Sequence, residues 1–393
     1  MFSKQEYKIR MNKTKQKMLE YGVEVLIVSN PSNMCYLTGY DAWSFYVNQV
    51  VIVFVDEEEP LWIGRGMDAR GAELTTWLSA SNIIYYPDEY VQSTIRHPMD
   101  FVATELDYRG KGDRKTGVEM DTFYYTAKCH ERLEVGLPAA ELKDAGGLVN
   151  WVRVYKSETE ISYMRNAAKI VENAMQAAYD KVGAGVRENE VAAAITHAQI
   201  YGSETFGGDY TSMVPMIPTG KYTASPHLNW TDKKYKEGDA LTIEIAGCYK
   251  RYHVPMARTV SIGKIPDYVR EAGKVITDGI QETLEVMKPG VTAEEVNSTW
   301  SRTIAKHGYE KNSRIGYSIG MSYPPDWGEH TISFREGDRT ILEPNMTFHL
   351  MPGLWFDEFG VAITESVLVT DNGIEQFTSF NQEIYEKPVV QSI

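Results

Sequence analysis

Apolar and polar residues alternate from Leu241 to Ala246. Leu241, Ile243 and Ile245 share one face and Thr242, Glu244 and Ala246 the other, the period of a half-buried strand. Gly247 then allows a turn or a close backbone approach, and a second strand is predicted from near Tyr252 through Val260. Before this hairpin, the pattern predicts a helix over 5–22 and strands over 23–29, 49–55, 61–63 and 117–120. A turn is expected at 30–33, with helices near 68–80, 91–108 and 122–134. Strands alternating with helices make an α/β unit. From residue 151 the texture changes. Ile161, Met164, Ala168, Ile170, Val171 and Ala174 recur at helical spacing, with Ser157 placed as N-cap three residues before Glu160. A second helix follows over 188–199. Residues 267–287 and 292–307 repeat the pair, so a duplicated unit is expected. The boundary falls near residue 150, giving domains 1–150 and 151–393.

Composition narrows the class. Hydrophobic residues make up 43% of 393, enough for buried cores. With 40 basic against 54 acidic residues the net charge is −14, which argues against nucleic acid or an anionic membrane as partner. The apolar runs are strand-length, short of a membrane span. The polar N-terminus has no signal-peptide core. Cys35, Cys129 and Cys248 lie far apart, so neither a disulfide framework nor a zinc motif is read. These features predict a cytoplasmic protein with a small-molecule substrate.

Glu244 is the first chemical candidate. A mid-strand carboxylate among apolar neighbours is either ion-paired structure or a catalytic group with a shifted pKa. Its surroundings add to that. Arg153-x-x-Lys156-Ser157-x-x-Glu160-Ile161 is followed by Gly238-Asp239-Ala240-Leu241-x-x-Glu244-x-x-Gly247 and Ala257-Arg258-Thr259. Next come Gly316-Tyr317-Ser318-Ile319-Gly320, Leu342-x-Pro344-x-Met346 and the run from Ile363 to Thr370. In this order the pieces resemble the pita-bread family of methionine aminopeptidase, aminopeptidase P, prolidase and creatinase. The resemblance implies a creatinase-like α/β N-terminal domain and an α+β pita-bread catalytic domain with internal pseudo-duplication.

Metallopeptidases of that family bind two metal ions through two aspartates, a histidine and two glutamates. At the matching positions this chain has Glu244, Pro255, Tyr317, Met351 and Glu365. Proline and methionine offer hard cations nothing of use, so no metal or other cofactor is expected. The resemblance is then to the family's metal-free branch, on Leu37 to Val47, Tyr323 to Glu329 and Pro344 to His349. It implies hydrolysis of a C–N bond in a small cyclic amidine that also carries a carboxylate.

Within that resemblance Glu244 is the attacking group or the base on water, and His227, which matches the family histidine ahead of the Glu244 strand, transfers protons. Glu365 and Glu329 are expected to hold the amidinium and Tyr317 to donate a hydrogen bond. Trp43 and Tyr40 are expected near the substrate, in a homodimer whose N-terminal domains reach toward the partner's cleft. Blander readings stand beside these: a lone histidine is more often structural, Glu329 can cap a loop, Trp43 can be core, and Arg258 is expected as a structural partner for a carboxylate. Two other functions remain open, a metal-dependent Xaa-Pro peptidase and an inactive binding module.

Overall fold

The structure is a computed structural model that describes residues 1–389. The chain divides into two compact units, Met1–Arg153 and Val154 onward.

The first unit is built on β1 (Val25–Val28), β2 (Val50–Phe54), β3 (Leu61–Arg65), β4 (Ile83–Tyr86), β5 (Thr116–Val118) and β6 (Leu142–Asp144). These form one sheet in the order β4-β3-β2-β1-β5-β6. β1 and β2 are buried along their whole length. That is why they read as unbroken apolar runs: both faces of the sheet are covered. Strands β4 and β6 carry no such signal because they are short, partly exposed edges. Around the sheet lie α1 (Lys4–Tyr21), α2 (Pro31–Thr38), α3 (Ala69–Thr75), α4 (Pro98–Tyr108), α5 (Ala127–Gly136) and α6 (Leu148–Val152).

The turn expected at 30–33 is instead the start of α2. Asn30 caps it through a hydrogen bond from Ser32 N–H (2.9 Å), and Pro31 sits in the first turn, where its missing N–H costs nothing. Buried Glu119 accepts the Ser29 and Asn30 N–H groups (2.7 and 2.8 Å) and the Asn33 amide (2.6 Å), so the helix entry is fixed from the sheet.

The second unit opens with α7 (Glu158–Lys181), capped by Ser157 and Glu160 in a reciprocal capping box, and α8 (Glu188–Tyr201). These precede the long hairpin of β7 (Ala240–Tyr249) and β8 (Tyr252–Ile262). Gly247 is not the turn. The strand runs on to Tyr249, and Lys250 and Arg251, both at positive φ, make the reversal. At Gly247 the helix backbone comes close instead, since a Cβ there would lie 1.9 Å from the Ala167 carbonyl oxygen of α7.

The scheme then repeats with α9 (Asp267–Val286) and α10 (Ala293–Ala305). β9 (Gly316–Ile319), β10 (Gly328–Ser333), β11 (Thr347–Leu350), β14 (Glu365–Thr370) and β15 (Gly373–Gln376) follow as a sheet in the order β10-β9-β11-β14-β15. The short pair β12 (Gly353–Trp355) and β13 (Gly360–Ala362) stands between, and β16 (Tyr385–Lys387) joins β8. Trp300, Ile276 and Ile280 of the second helix pair pack with Phe348, Val367 and Val369 of this sheet in one core.

Candidate active site

Strand β7 carries Glu244 with its backbone pinned on both sides. Its N–H donates to the Met216 carbonyl (2.9 Å), and its carbonyl accepts from the Met216 N–H (3.0 Å). Leu241, Ile243 and Ile245 fill the core face, which leaves the Glu244 side chain half-buried on the other. Ala246 and Ala257 are buried on that same face, with Pro255 opposite Ala246. Burial, reinforced by the negative charge of Asp326, pushes the Glu244 carboxyl up to about 7, against the opposing pull of Lys311. Lys311 is pushed down to about 7 by burial, Glu244 drawing it the other way. Its ammonium lies 4.0 Å from the Trp355 ring centroid and donates to the Gly353 carbonyl (3.0 Å).

Tyr317 on β9 belongs to the same neighbourhood. Burial raises its phenol, and the Glu244 charge raises it further. Its hydroxyl oxygen accepts from Trp327 Nε1–H (2.7 Å) and lies 3.1 Å from His349 Nδ1. The Arg314 guanidinium stacks on the ring, 4.5 Å from its centroid. Asp326 is pushed up by burial, but His330 (2.7 Å) and the Gly328 N–H (3.1 Å) hold its carboxyl below the usual range. The electrostatic neighbourhood thus joins Glu244, Tyr317, Asp326 and Lys311.

The other expected residues stand elsewhere. Glu329 and Glu365 were expected to hold a cation, and each already holds one from its own chain. Glu329 pairs with Lys156 (2.7 Å), both about 1% exposed. Gly320 makes room for them, because a Cβ there would lie 2.3 Å from Glu329 Oε1. Glu365 pairs with Arg258 at 2.5 Å and accepts from Thr378 at 3.0 Å, so Arg258 has the structural role expected of it. His227 lies exposed in the stretch after residue 224, and among the described residues no hydrogen bond joins it to Glu244. In the first unit, Tyr40 is 3% exposed. Its hydroxyl is bonded to Ser44 (2.6 Å) and Gln49 (3.0 Å) and its ring lies against Trp62. Tyr40 thus packs in the core of this unit with its hydroxyl hydrogen-bonded. Trp43 is 58% exposed and packs on Phe45.

Sequence reasoning passed over Lys311, gave Asp326 no role and read His349 as a strand-face or core residue. Asp326 and Trp327 were in sight within Tyr323 to Glu329, but nothing around Lys311 marks it. His349 reads as one more strand residue until its pairing opposite Tyr317 in β9 is known.

A dinuclear metal site does not fit these donors. Pro255 and Met351 bring no hard ligand, Glu365 is held by Arg258 and Thr378, and the Tyr317 oxygen is taken by Trp327 and His349.

Fold and site together define a two-domain pita-bread protein. The chain belongs to Metallopeptidase family M24, which it matches over residues 162–371, with a Creatinase/Prolidase N-terminal domain over residues 10–155. It is 46% identical to the ectoine hydrolase of Halomonas elongata over 393 residues, covering 98% of each chain. It is 44% identical to an uncharacterized hydrolase/peptidase of Sinorhizobium fredii over 98% of each chain. Among solved structures, the prolidase from Thermococcus sibiricus superposes with a TM-score of 0.84 at 22% identity, covering 97% of this chain and 99% of that one. At that identity the likeness shows the fold alone.

Proposed function

We propose that this protein hydrolyses the cyclic amidine ring of ectoine to N-acetyl-2,4-diaminobutyrate without a metal ion. The observation that carries the substrate is the near full-length likeness to an ectoine hydrolase. Net hydrolysis adds water across the amidinium: oxygen joins the carbon between the nitrogens, one C–N bond breaks, and the released nitrogen takes both protons of the water and leaves as an ammonium. Glu244 either attacks that carbon or takes the proton from the attacking water, and a carboxyl held near 7 suits a base working at neutral pH.

Since Glu329 and Glu365 are committed to internal cations, Asp326 takes over as the anion facing the amidinium. Lys311, steadied over Trp355, faces the substrate carboxylate. His227, whose ring carries no protein hydrogen bond among the described residues, serves proton transfer to the departing nitrogen. The donor set at the family's metal positions supports a metal-independent reaction. The resemblance to two-domain relatives supports a homodimer, and exposed Trp43 and Tyr46 (58% and 62%) suit an interface; sedimentation at a monomer's mass would contradict that. That Cys35, Cys129 and Cys248 form no disulfide among the described residues suits the reducing cytoplasm.

The test offers purified protein ectoine and an Xaa-Pro dipeptide side by side, followed by proton NMR. Loss of the ring signals with the dipeptide intact is the expected result. Cleavage of the dipeptide alone would overturn the reading in favour of a peptidase.

A further inference from the structure

A buried hydrogen-bond chain behind Tyr317 has ends that fix its direction. At one end, Ala257 N–H donates to Thr364 Oγ1 (2.7 Å); at the other, Trp327 Nε1–H donates to Tyr317 Oη (2.7 Å). Both donors are obligatory, because a backbone N–H and an indole N–H cannot accept. Between them His349 joins Thr364 through Nε2 (2.8 Å) and Tyr317 through Nδ1 (3.1 Å). His349 is fully buried, and burial pushes its pKa down to about 3. It is therefore a neutral imidazole with one N–H and one lone pair.

Only two arrangements satisfy those contacts. If Tyr317 donates to Nδ1 and Nε2–H donates to Thr364, the Thr364 hydroxyl proton has no acceptor among the described residues, although the residue is fully buried. An unmade hydrogen bond there is costly. If Thr364 donates to Nε2 and Nδ1–H donates to Tyr317, the proton left over is that of Tyr317, which at 7% exposed is less enclosed than Thr364 at 0%. Tyr317 then accepts twice, and its own proton points out of the chain. We propose that Tyr317 is a fixed hydrogen-bond donor to the reacting centre beside Glu244, with His349, oriented by Thr364, as the positioning residue that sets this direction.

This rests on the hydrolytic reading of the site and adds a mechanism to it. With both lone pairs used, the Tyr317 oxygen cannot accept from an amidinium N–H. A bound amidinium offers the Tyr317 proton no acceptor nitrogen; one appears when the central carbon becomes tetrahedral and a ring nitrogen regains a lone pair. Such a contact, absent from the bound cation, lowers the barrier without tightening substrate binding. Tyr317 keeps its proton throughout, so no bond to hydrogen is exchanged.

Long-range proton–nitrogen NMR on the full chain with labelled histidine tests the direction without reference to turnover. The His349 signals are assigned by their loss in His349→Gln, or by their change in Thr364→Val should the first variant fail to fold. The expected result is a proton on Nδ1 and a bare Nε2; a proton on Nε2 in the wild type overturns the proposal, whether or not ectoine is turned over. In kinetics, Tyr317→Phe lowers kcat by about 10²-fold, the size seen for loss of one preorganised donor, with KM little changed. Thr364→Val moves the proton to Nε2 and lowers kcat by roughly tenfold, about one hydrogen bond, and Thr364→Ser recovers most of that loss. A raised KM with unchanged kcat in Tyr317→Phe would also overturn it.

Discussion

Glu244, the catalytic group in the proposed reaction, is half-buried on its strand and makes no ion pair among the described residues. Burial and Asp326 disfavour its charge, and a group whose folded pKa is raised contributes stability at low pH that is lost as pH rises through the folded value. Glu244→Gln is therefore expected to abolish ectoine turnover and to leave the melting temperature unchanged at pH 5. At pH 8.5 it should stabilise the protein by about 2 kcal/mol; a variant destabilised at both pH values would mean that the carboxylate is a structural partner. Lys311 pulls the same carboxyl down, so Lys311→Met is expected to move the acid limb of kcat/KM to higher pH. An acid limb that stays in place would separate Lys311 from Glu244.

At the scale of elements, the hairpin and the helices around it followed from pattern, because a two-residue period and a capping box are local signals. Ser157 and Glu160 form the expected box. What the local pattern left open at Gly247 was decided by α7 packing across the strand, a contact from far along the chain. Gly247→Ala puts a methyl group against the Ala167 carbonyl at 1.9 Å and the Val171 N–H at 2.7 Å. Backbone yields poorly to such overpacking, so a loss on the order of 3 kcal/mol is expected, measured as a lower melting temperature; a neutral result would show that the helix can slide.

The same limit explains the site. Mid-strand Glu244 was visible in the alternation, and Tyr317 in the family motif. The partners of Glu329 and Glu365 were not, because Lys156 and Arg258 reach them across more than a hundred residues. Lys311 escaped notice for a similar reason: burial depresses its pKa against the pull of Glu244, and Trp355, Gly353 and Glu244, which surround it, are none of them near it in sequence.

For the molecule as a whole, the separation of scaffold from chemistry is the central point. The pita-bread fold is shared with a prolidase at a TM-score of 0.84, while the positions matched to the family's metal ligands hold Glu244, a proline, a methionine, an internally paired glutamate and a hydrogen-bonded tyrosine. A fold does not fix a function. Here the donor set supports the proposal of amidine hydrolysis by side chains alone over peptide hydrolysis by a metal pair. The measurement that tests this most directly is ectoine hydrolysis by protein dialysed against a strong chelator, with its metal content determined on the same sample. The account predicts ring opening at an undiminished rate in metal-depleted protein. Turnover that disappears with the metal and returns on adding a divalent cation would contradict it.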